Sequence, residues 1–162
     1  DAFDGLDDRA DLFIWGAKDQ QSTAALQAMA ASRKGIHFMG AYVNQNLASE
    51  VFGRVDCIVV PSIWMENSPL VIHEAQSCGI PVITADAGGM SEYVQHQVNG
   101  LLFKPRSVES LAEQMRWAVG HVRAMDRLGR RGYLPSADGS VPTIENHCAV
   151  LEGVYTQLMA RS

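Results

Sequence analysis

Strands and helices alternate along this chain, and that alternation constrains its fold more than any single residue does. Short apolar runs at Leu12 to Trp15, Ile36 to Met39, Asp56 to Val60, Pro81 to Thr84 and Leu101 to Phe103 read as strands, the first two closed by Gly16 and Gly40. Asp19 to Ser32, rich in Ala, Leu, Gln and Met, reads as a helix, Asn46 to Phe52 as a short helix, and Ser91 to Gln95 as a helical turn. From Ser107 the stripe Val108, Leu111, Ala112, Met115, Ala118 and Val119 predicts an amphipathic helix with Trp117 facing outward. The cations from Arg123 to Arg131 read as a solvated face, Leu134 to Pro142 as a loop, and Thr143 to Met159 as a closing helix. Short connections between such elements give an α/β domain, a Rossmann-like parallel sheet with helices on both faces. The β-branched run Asp56 to Val60 should be buried on both of its faces. Ligands of such sheets bind beyond the carboxyl ends of the strands. Gly16, Gly40, Pro61-Ser62 and Asp86 to Gly89 should therefore crowd one rim.

Composition removes several function classes. With 162 residues, 47% apolar and 19% charged, the chain has the make-up of one globular domain rather than of a disordered segment. A net charge of −5 argues against a nucleic-acid surface, which concentrates Lys and Arg. Residues 1–10, with Asp1, Asp4, Asp7 and Asp8, read as a solvated, flexible lead-in. No apolar run reaches the roughly 18–20 residues of a membrane span, and no secretory signal is visible. Cys57 and Cys78 stand in apolar contexts and read as buried free thiols of a reducing compartment, with Cys148 as the third cysteine. His37, His73, His96, His121 and His147 show no ligand spacing, so no metal site is expected. No Ser/His/Asp or Cys/His arrangement stands out as a nucleophilic centre.

The stretch from Pro61 to Glu74, PSIWMENSPLVIHE, holds the sharpest signal. Ser68 is a suitable N-cap and Pro69 suits the first helical position, where a missing N–H costs nothing. The free amides of that first turn form a place for an anion. On a helical wheel Leu70, Val71, Ala75 and Cys78 form one arc and His73, Gln76 and Ser77 the other, which puts Glu74 inside the apolar arc. A carboxylate there must be paired, ligated or close to an opening. It accepts hydrogen bonds from a polyhydroxy ligand, forms a structural ion pair, or takes a border position facing water. Gly88 and Gly89 allow close backbone approach, read as an ordinary tight turn or as room for a ligand.

The segment from Asp56 to Pro105 resembles the C-terminal donor-binding domain of GT-B glycosyltransferases, in the retaining family 4 group. The residues that carry this are Pro61-Ser62, the E-x7-E pair of Glu66 and Glu74, and the run Glu74 to Ile83. Gly88-Gly89, Glu92, Asn99 to Phe103 and Tyr155 add to it. The resemblance implies that Glu74 accepts the ribose hydroxyls of an NDP-sugar donor, since a carboxylate can take both hydroxyls of a diol in charge-assisted bonds. It implies that Glu66, the candidate catalytic residue, lies against the donor sugar. The amides around Asn67, Ser68 and Leu70 would hold sugar hydroxyls and phosphate oxygens, with Gly88 and Gly89 close to the sugar. Gly40 and Val43 match the family's base-binding loop by position alone.

For a full-length protein the resemblance implies transfer of a hexosyl unit with retention at the anomeric carbon, without metal or other cofactor. The acceptor would be a glycan, lipid or small molecule, as in polysaccharide biosynthesis, at the cytoplasmic side of a membrane that the protein touches peripherally. The chain departs from the family at its start. The first β-α unit, with the Arg and Lys that neutralise the diphosphate, is not matched, and Lys18 does not replace it. The acceptor-binding N-terminal domain is not matched either. The fragment alone is therefore expected to be inactive and to bind donor weakly, since electrostatic stabilisation of the leaving group is the main catalytic contribution. Two alternatives stay open: another GT-B activity such as an epimerase or phosphorylase, and a non-catalytic interaction domain. A redox Rossmann domain does not fit, because Gly16-Ala17-Lys18 gives no GxGxxG after the first strand.

Overall fold

The computed structural model describes residues 2–6, 9–16 and 19–160. Its elements are β1 (Leu12–Trp15), α1 (Gln20–Ser32), β2 (Ile36–Gly40), α2 (Leu47–Glu50), β3 (Ile58–Val60), α3 (Leu70–Ser77), β4 (Val82–Ala85), α4 (Met90–Tyr93), β5 (Gly100–Phe103), α5 (Val108–Gly120), α6 (Val122–Gly129) and α7 (Ile144–Met159). The helix expected from Asn46 to Phe52 is a single α turn between two 3-10 turns, Asn44–Asn46 and Phe52–Arg54. Side-chain caps fix where the longer helices begin. Asp19 accepts the Ser22 N–H at 2.7 Å, Ser107 accepts the Ser110 N–H at 3.1 Å, and Thr143 forms a capping box with Asn146. Gly79 follows α3 at φ +70°, the left-handed step that ends a helix most cheaply at glycine.

Every strand pair is parallel, as expected, but the strands form two sheets where the sequence suggested one. β1 pairs with β2, and β3, β4 and β5 form a second sheet in that order. The outer edges of β1 and β3 do not meet; both line one apolar groove. This also corrects the burial expected for Asp56 to Val60. β3 is only half-buried, whereas β4, paired on both sides, is buried along its whole length. One core nonetheless spans both sheets, from Leu47, Val51 and Phe52 to Ile72, Ile83, Met90 and Leu101.

Three further expectations change. Leu6 of the expected lead-in is 1% exposed, and Ala2 and Phe3 pack against the core. Asp4 pairs with Arg33 at 2.7 Å, which holds its carboxyl below the usual range. Apolar residues among the acids make that segment part of the domain. Cys78 is exposed rather than buried, because it caps the solvent end of α3. Trp117 is half-buried instead of outward, packed on the core and stacked on His121 at 4.5 Å. None of the residues of α7 is buried. Among the described residues, no helix is long and apolar enough to cross a membrane.

Candidate functional site

The chain leaves β3 from a fixed point. Thr84 of β4, fully buried, donates its hydroxyl to the Val60 carbonyl at 3.0 Å and lies 3.2 Å from the Met90 sulfur. A buried hydroxyl needs such a partner, and here the partner is the last carbonyl before Pro61. The loop that follows folds back on itself. Ser62 donates to a Glu66 carboxylate oxygen at 3.1 Å while accepting the Trp64 N–H at 3.3 Å, and the Glu66 N–H donates to the Trp64 carbonyl at 3.0 Å.

A second loop clamps the first. The Gly89 N–H donates to the Glu66 carbonyl at 2.6 Å. A Cβ on Gly88 would come within 2.8 Å of that carbonyl, and a Cβ on Gly89 would overlap the carbonyl of Asn67. Gly89 has φ −64°, open to any residue, so space and not dihedral freedom demands glycine there. The close approach that Gly88-Gly89 permits is thus to the backbone of Glu66 and Asn67, a contact that the sequence reading did not contain.

Helix α3 differs from its sequence reading in start and in phase. Pro69, not Ser68, holds the N-cap position, and it makes no side-chain cap. The Ser68 hydroxyl instead meets His73 Nε2 at 2.7 Å. The buried positions are Ile72, Ala75 and Gln76, while Leu70 is 74% exposed. The inner line therefore runs from buried Pro69 through Ile72 to Ala75 and Gln76, at i, i+3 and i+4 spacing. Leu70 and Cys78 fall outside it. Glu74 sits at the border of this face, half-buried. Among the described residues its carboxylate makes no ion pair and no hydrogen bond. Burial first, and the Glu74 charge second, push the neighbouring Cys78 thiol up. The backbone N–H groups of Asn67, Ser68, Leu70 and Val71 likewise donate to no described protein acceptor. First-turn amides of a helix are open donors for this reason.

Behind α3 stands a polar and aromatic support that sequence reasoning missed. His73 packs edge-on against Tyr93 at 4.4 Å and Tyr133 at 5.6 Å. Burial pushes its pKa down, an effect that the adjacent Gln76 amide partly offsets. Gln76 donates to the Tyr93 carbonyl at 2.9 Å. Buried Asn99 donates to the carbonyls of Tyr93 and Gly132, at 2.8 and 3.0 Å, and accepts the Gln95 N–H at 2.8 Å. The one available signal for Asn99 was a polar residue directly before the apolar run of β5. On the loop itself, Ile63, Trp64 and Met65 are exposed.

The structure thus brings Ser62, Glu66, Asn67, Gly88 and Gly89 together, with Ser62 and Gly89 bonded to Glu66 and Ser68 tied to α3. Gly40 ends β2 of the two-stranded sheet and Val43 lies in the segment after it. The Gly40 carbonyl accepts the Gly16 N–H at 2.8 Å and Val43 is exposed, with no hydrogen bond joining either to the cluster. Lys18 lies outside the described residues. Among those residues no three His, Cys, Asp or Glu side chains converge on one point. The arrangement offers an unpaired carboxylate, a second carboxylate held by Ser62, and a row of open amides, a donor set suited to a polyhydroxylated anion.

Comparison with known proteins shows the family of this chain. Residues 1–134 match the family described as Glycosyl transferases group 1. An uncharacterized glycosyltransferase of Methanocaldococcus jannaschii is 31% identical over 102 residues, which cover 63% of this chain and 24% of that protein. The chain thus spans about a quarter of the length of that relative. Sucrose-phosphate synthase of Thermosynechococcus elongatus superposes with a TM-score of 0.75 at 25% identity, over 93% of this chain and 39% of its own. HepE of Anabaena, solved in complex with UDP, superposes with a TM-score of 0.68 at 21% identity, over 91% of this chain and 41% of its own. An α/β domain of parallel strands, built as part of a GT-B fold and matched to the family profile over most of its length, makes this chain a member of the group 1 glycosyltransferases.

Proposed function

We propose that this chain is the donor-binding part of a retaining, family 4-like glycosyltransferase that takes a hexose from an NDP-sugar. The observation that carries this reading is the Glu66 loop, held from one side by Ser62 and from the other by the Gly89 N–H, beside the open amides at the start of α3. In the proposed complex the Glu74 carboxylate accepts the two ribose hydroxyls. The amides of Asn67, Ser68 and Leu70 hold the diphosphate and sugar oxygens at the helix N-terminus, where the peptide dipoles favour negative charge. Glu66 faces the donor sugar and Gly88-Gly89 fix its loop. Gly40 and Val43 receive the base. The leaving phosphate assists the acceptor on the same face of the sugar, so that the reaction requires neither a protein nucleophile nor a metal. HepE, whose fold this chain shares, was solved with UDP, which makes a uridine donor the first to try.

The acceptor belongs to the whole protein, together with an acceptor-binding domain, and is a glycan, lipid or small molecule at the cytoplasmic face of a membrane. Thermal-shift measurements with UDP-, GDP-, ADP- and dTDP-sugars test the donor assignment. One nucleotide is expected to raise the melting temperature in proportion to ligand excess over Kd, and Glu74→Ala to abolish the rise. Equal stabilisation of wild type and Glu74→Ala would remove Glu74 from the site.

A further inference from the structure

The start of α3 is left open because Ser68 does not do there what similar residues do elsewhere in this chain. Ahead of α1, α5 and α7 an oxygen-bearing side chain accepts the N–H three residues on: Asp19 from Ser22 at 2.7 Å, Ser107 from Ser110 at 3.1 Å and Thr143 from Asn146 at 3.3 Å. Such residues close the first turn of a helix in this way. Ser68 stands three residues ahead of Val71 and makes no such bond; its hydroxyl is turned to His73 Nε2 at 2.7 Å. Pro69 provides no side-chain cap in its place. The amides of Leu70 and Val71, the two that a serine in this position caps, are thereby left without a described protein acceptor.

The ring that takes the hydroxyl is itself held. Tyr93 and Tyr133 pack against it edge-on. Gln76, 4% exposed, commits its amide N–H to the Tyr93 carbonyl, and its Oε1 is a buried oxygen without a well-formed hydrogen bond. His73 Nδ1 is buried in the same condition. The Gln76 amide acts on the ring as an acceptor, because its interaction favours the protonated imidazole. One neutral tautomer meets all of these needs: Nδ1 carries the proton towards Oε1, and Nε2 keeps its lone pair for the Ser68 O–H. We infer that His73, oriented by Gln76, is a positioning residue that holds the Ser68 hydroxyl off the start of α3 and so keeps the Leu70 and Val71 amides open for the donor diphosphate. This rests on the donor-binding reading above. Without His73 the hydroxyl swings onto the Val71 N–H, as Ser107 does onto Ser110, and takes a donor that the phosphate oxygens need.

The test combines amide hydrogen exchange without ligand and amide resonance titrations with UDP, GDP, ADP and dTDP. Wild type, His73→Phe, Ser68→Ala and the double variant are compared. His73→Phe keeps a ring between the two tyrosines and removes both nitrogens. Its Val71 amide should exchange roughly 5-fold more slowly than in wild type, as a newly capped amide does. Its affinity for the nucleotide that binds wild type should fall about 10-fold. In the Ser68→Ala background, with no hydroxyl to swing, the same change at His73 should alter either quantity by less than about 2-fold. His73→Gln, whose amide reaches the place of Nε2, should recover most of the lost affinity, and it keeps the test intact should the first substitution disturb the fold. Three results overturn the proposal: exchange and affinity in His73→Phe equal to wild type; a loss as large in the Ser68→Ala background, which makes His73 a packing residue of α3; or no recovery in His73→Gln. If none of the four nucleotides binds wild type, the donor reading fails instead. The exchange comparison, which needs no ligand, then decides by itself whether His73 holds Ser68 off the helix.

Discussion

The two half-sheets are equally apolar in sequence and differ in what they bury. Leu12–Trp15 of β1 is at least as hydrophobic as Val82–Ala85 of β4, yet every residue of β1 is half-buried and every residue of β4 is buried. β4 has a strand on each side and helices packed against it; β1 has a strand on one side and the groove on the other. Burial here is set by neighbours, not by the hydrophobicity of the residue itself. The candidate site follows the same division. Its cluster, from Ser62 to Gly89, grows from the three-stranded side, where Thr84 pins the last carbonyl of β3. On the two-stranded side β2 is half-buried or exposed after Ile36; Gly40 ends it and Val43 lies in the segment after it.

Substitutions that probe this contrast should fall into a clear order. Ile83→Ala in β4 leaves a cavity in a site 1% exposed, at a cost of about 3–4 kcal/mol, whereas Ile14→Ala in half-buried β1 should cost about 1 kcal/mol. Denaturant melts of the pair measure the gap directly, and equal losses would erase the distinction between the half-sheets. Gly89→Ala should cost about 2–3 kcal/mol, because its Cβ overlaps the Asn67 carbonyl and one loop must move. In the same assay Gly120→Ala, with nothing close to its Cβ, should be neutral or slightly stabilising. Asn99→Ala leaves two carbonyls and an N–H without their partner, and about 2 kcal/mol is expected from that loss.

The smallest effect is the dependence on pH. The His73 pKa is lowered below 6.5 in the folded chain, chiefly by burial, so the unfolded chain binds more protons in the window below that value. Stability contributed by neutral His73 is therefore present above pH 6.5 and declines as the pH falls towards the folded pKa. Melting temperatures between pH 7.5 and 5 should show this decline in wild type and a shallower one in His73→Asn. Parallel curves would mean that His73 is not the group responsible.

Much of this architecture was legible in the sequence because the signals were local. The strand runs and the helices that begin at Ser107 and at Thr143 depend on residues within a few positions of each other. The division into two sheets was not legible, since pairing at the outer edges of β1 and β3 depends on what lies across the groove. The phase of α3 was misread because Leu70 is apolar but faces out, while Gln76 is polar but faces in, its amide taken up by the Tyr93 carbonyl. Ser68 looked like a cap for want of knowing that His73 would reach it. Gly88 and Gly89 advertised a close approach without saying to what; the answer, Glu66 and Asn67, lies more than 20 positions upstream.

The most direct test of the central claim is an amide resonance titration of the chain with UDP, followed in wild type and in Glu74→Ala. The account predicts shifts concentrated at Asn67, Ser68, Leu70, Val71, Gly88 and Gly89, with Glu74→Ala weakening binding about 10-fold or more, equivalent to about 1.4 kcal/mol. Shifts confined to other parts of the chain, or the same affinity in both proteins, would contradict it.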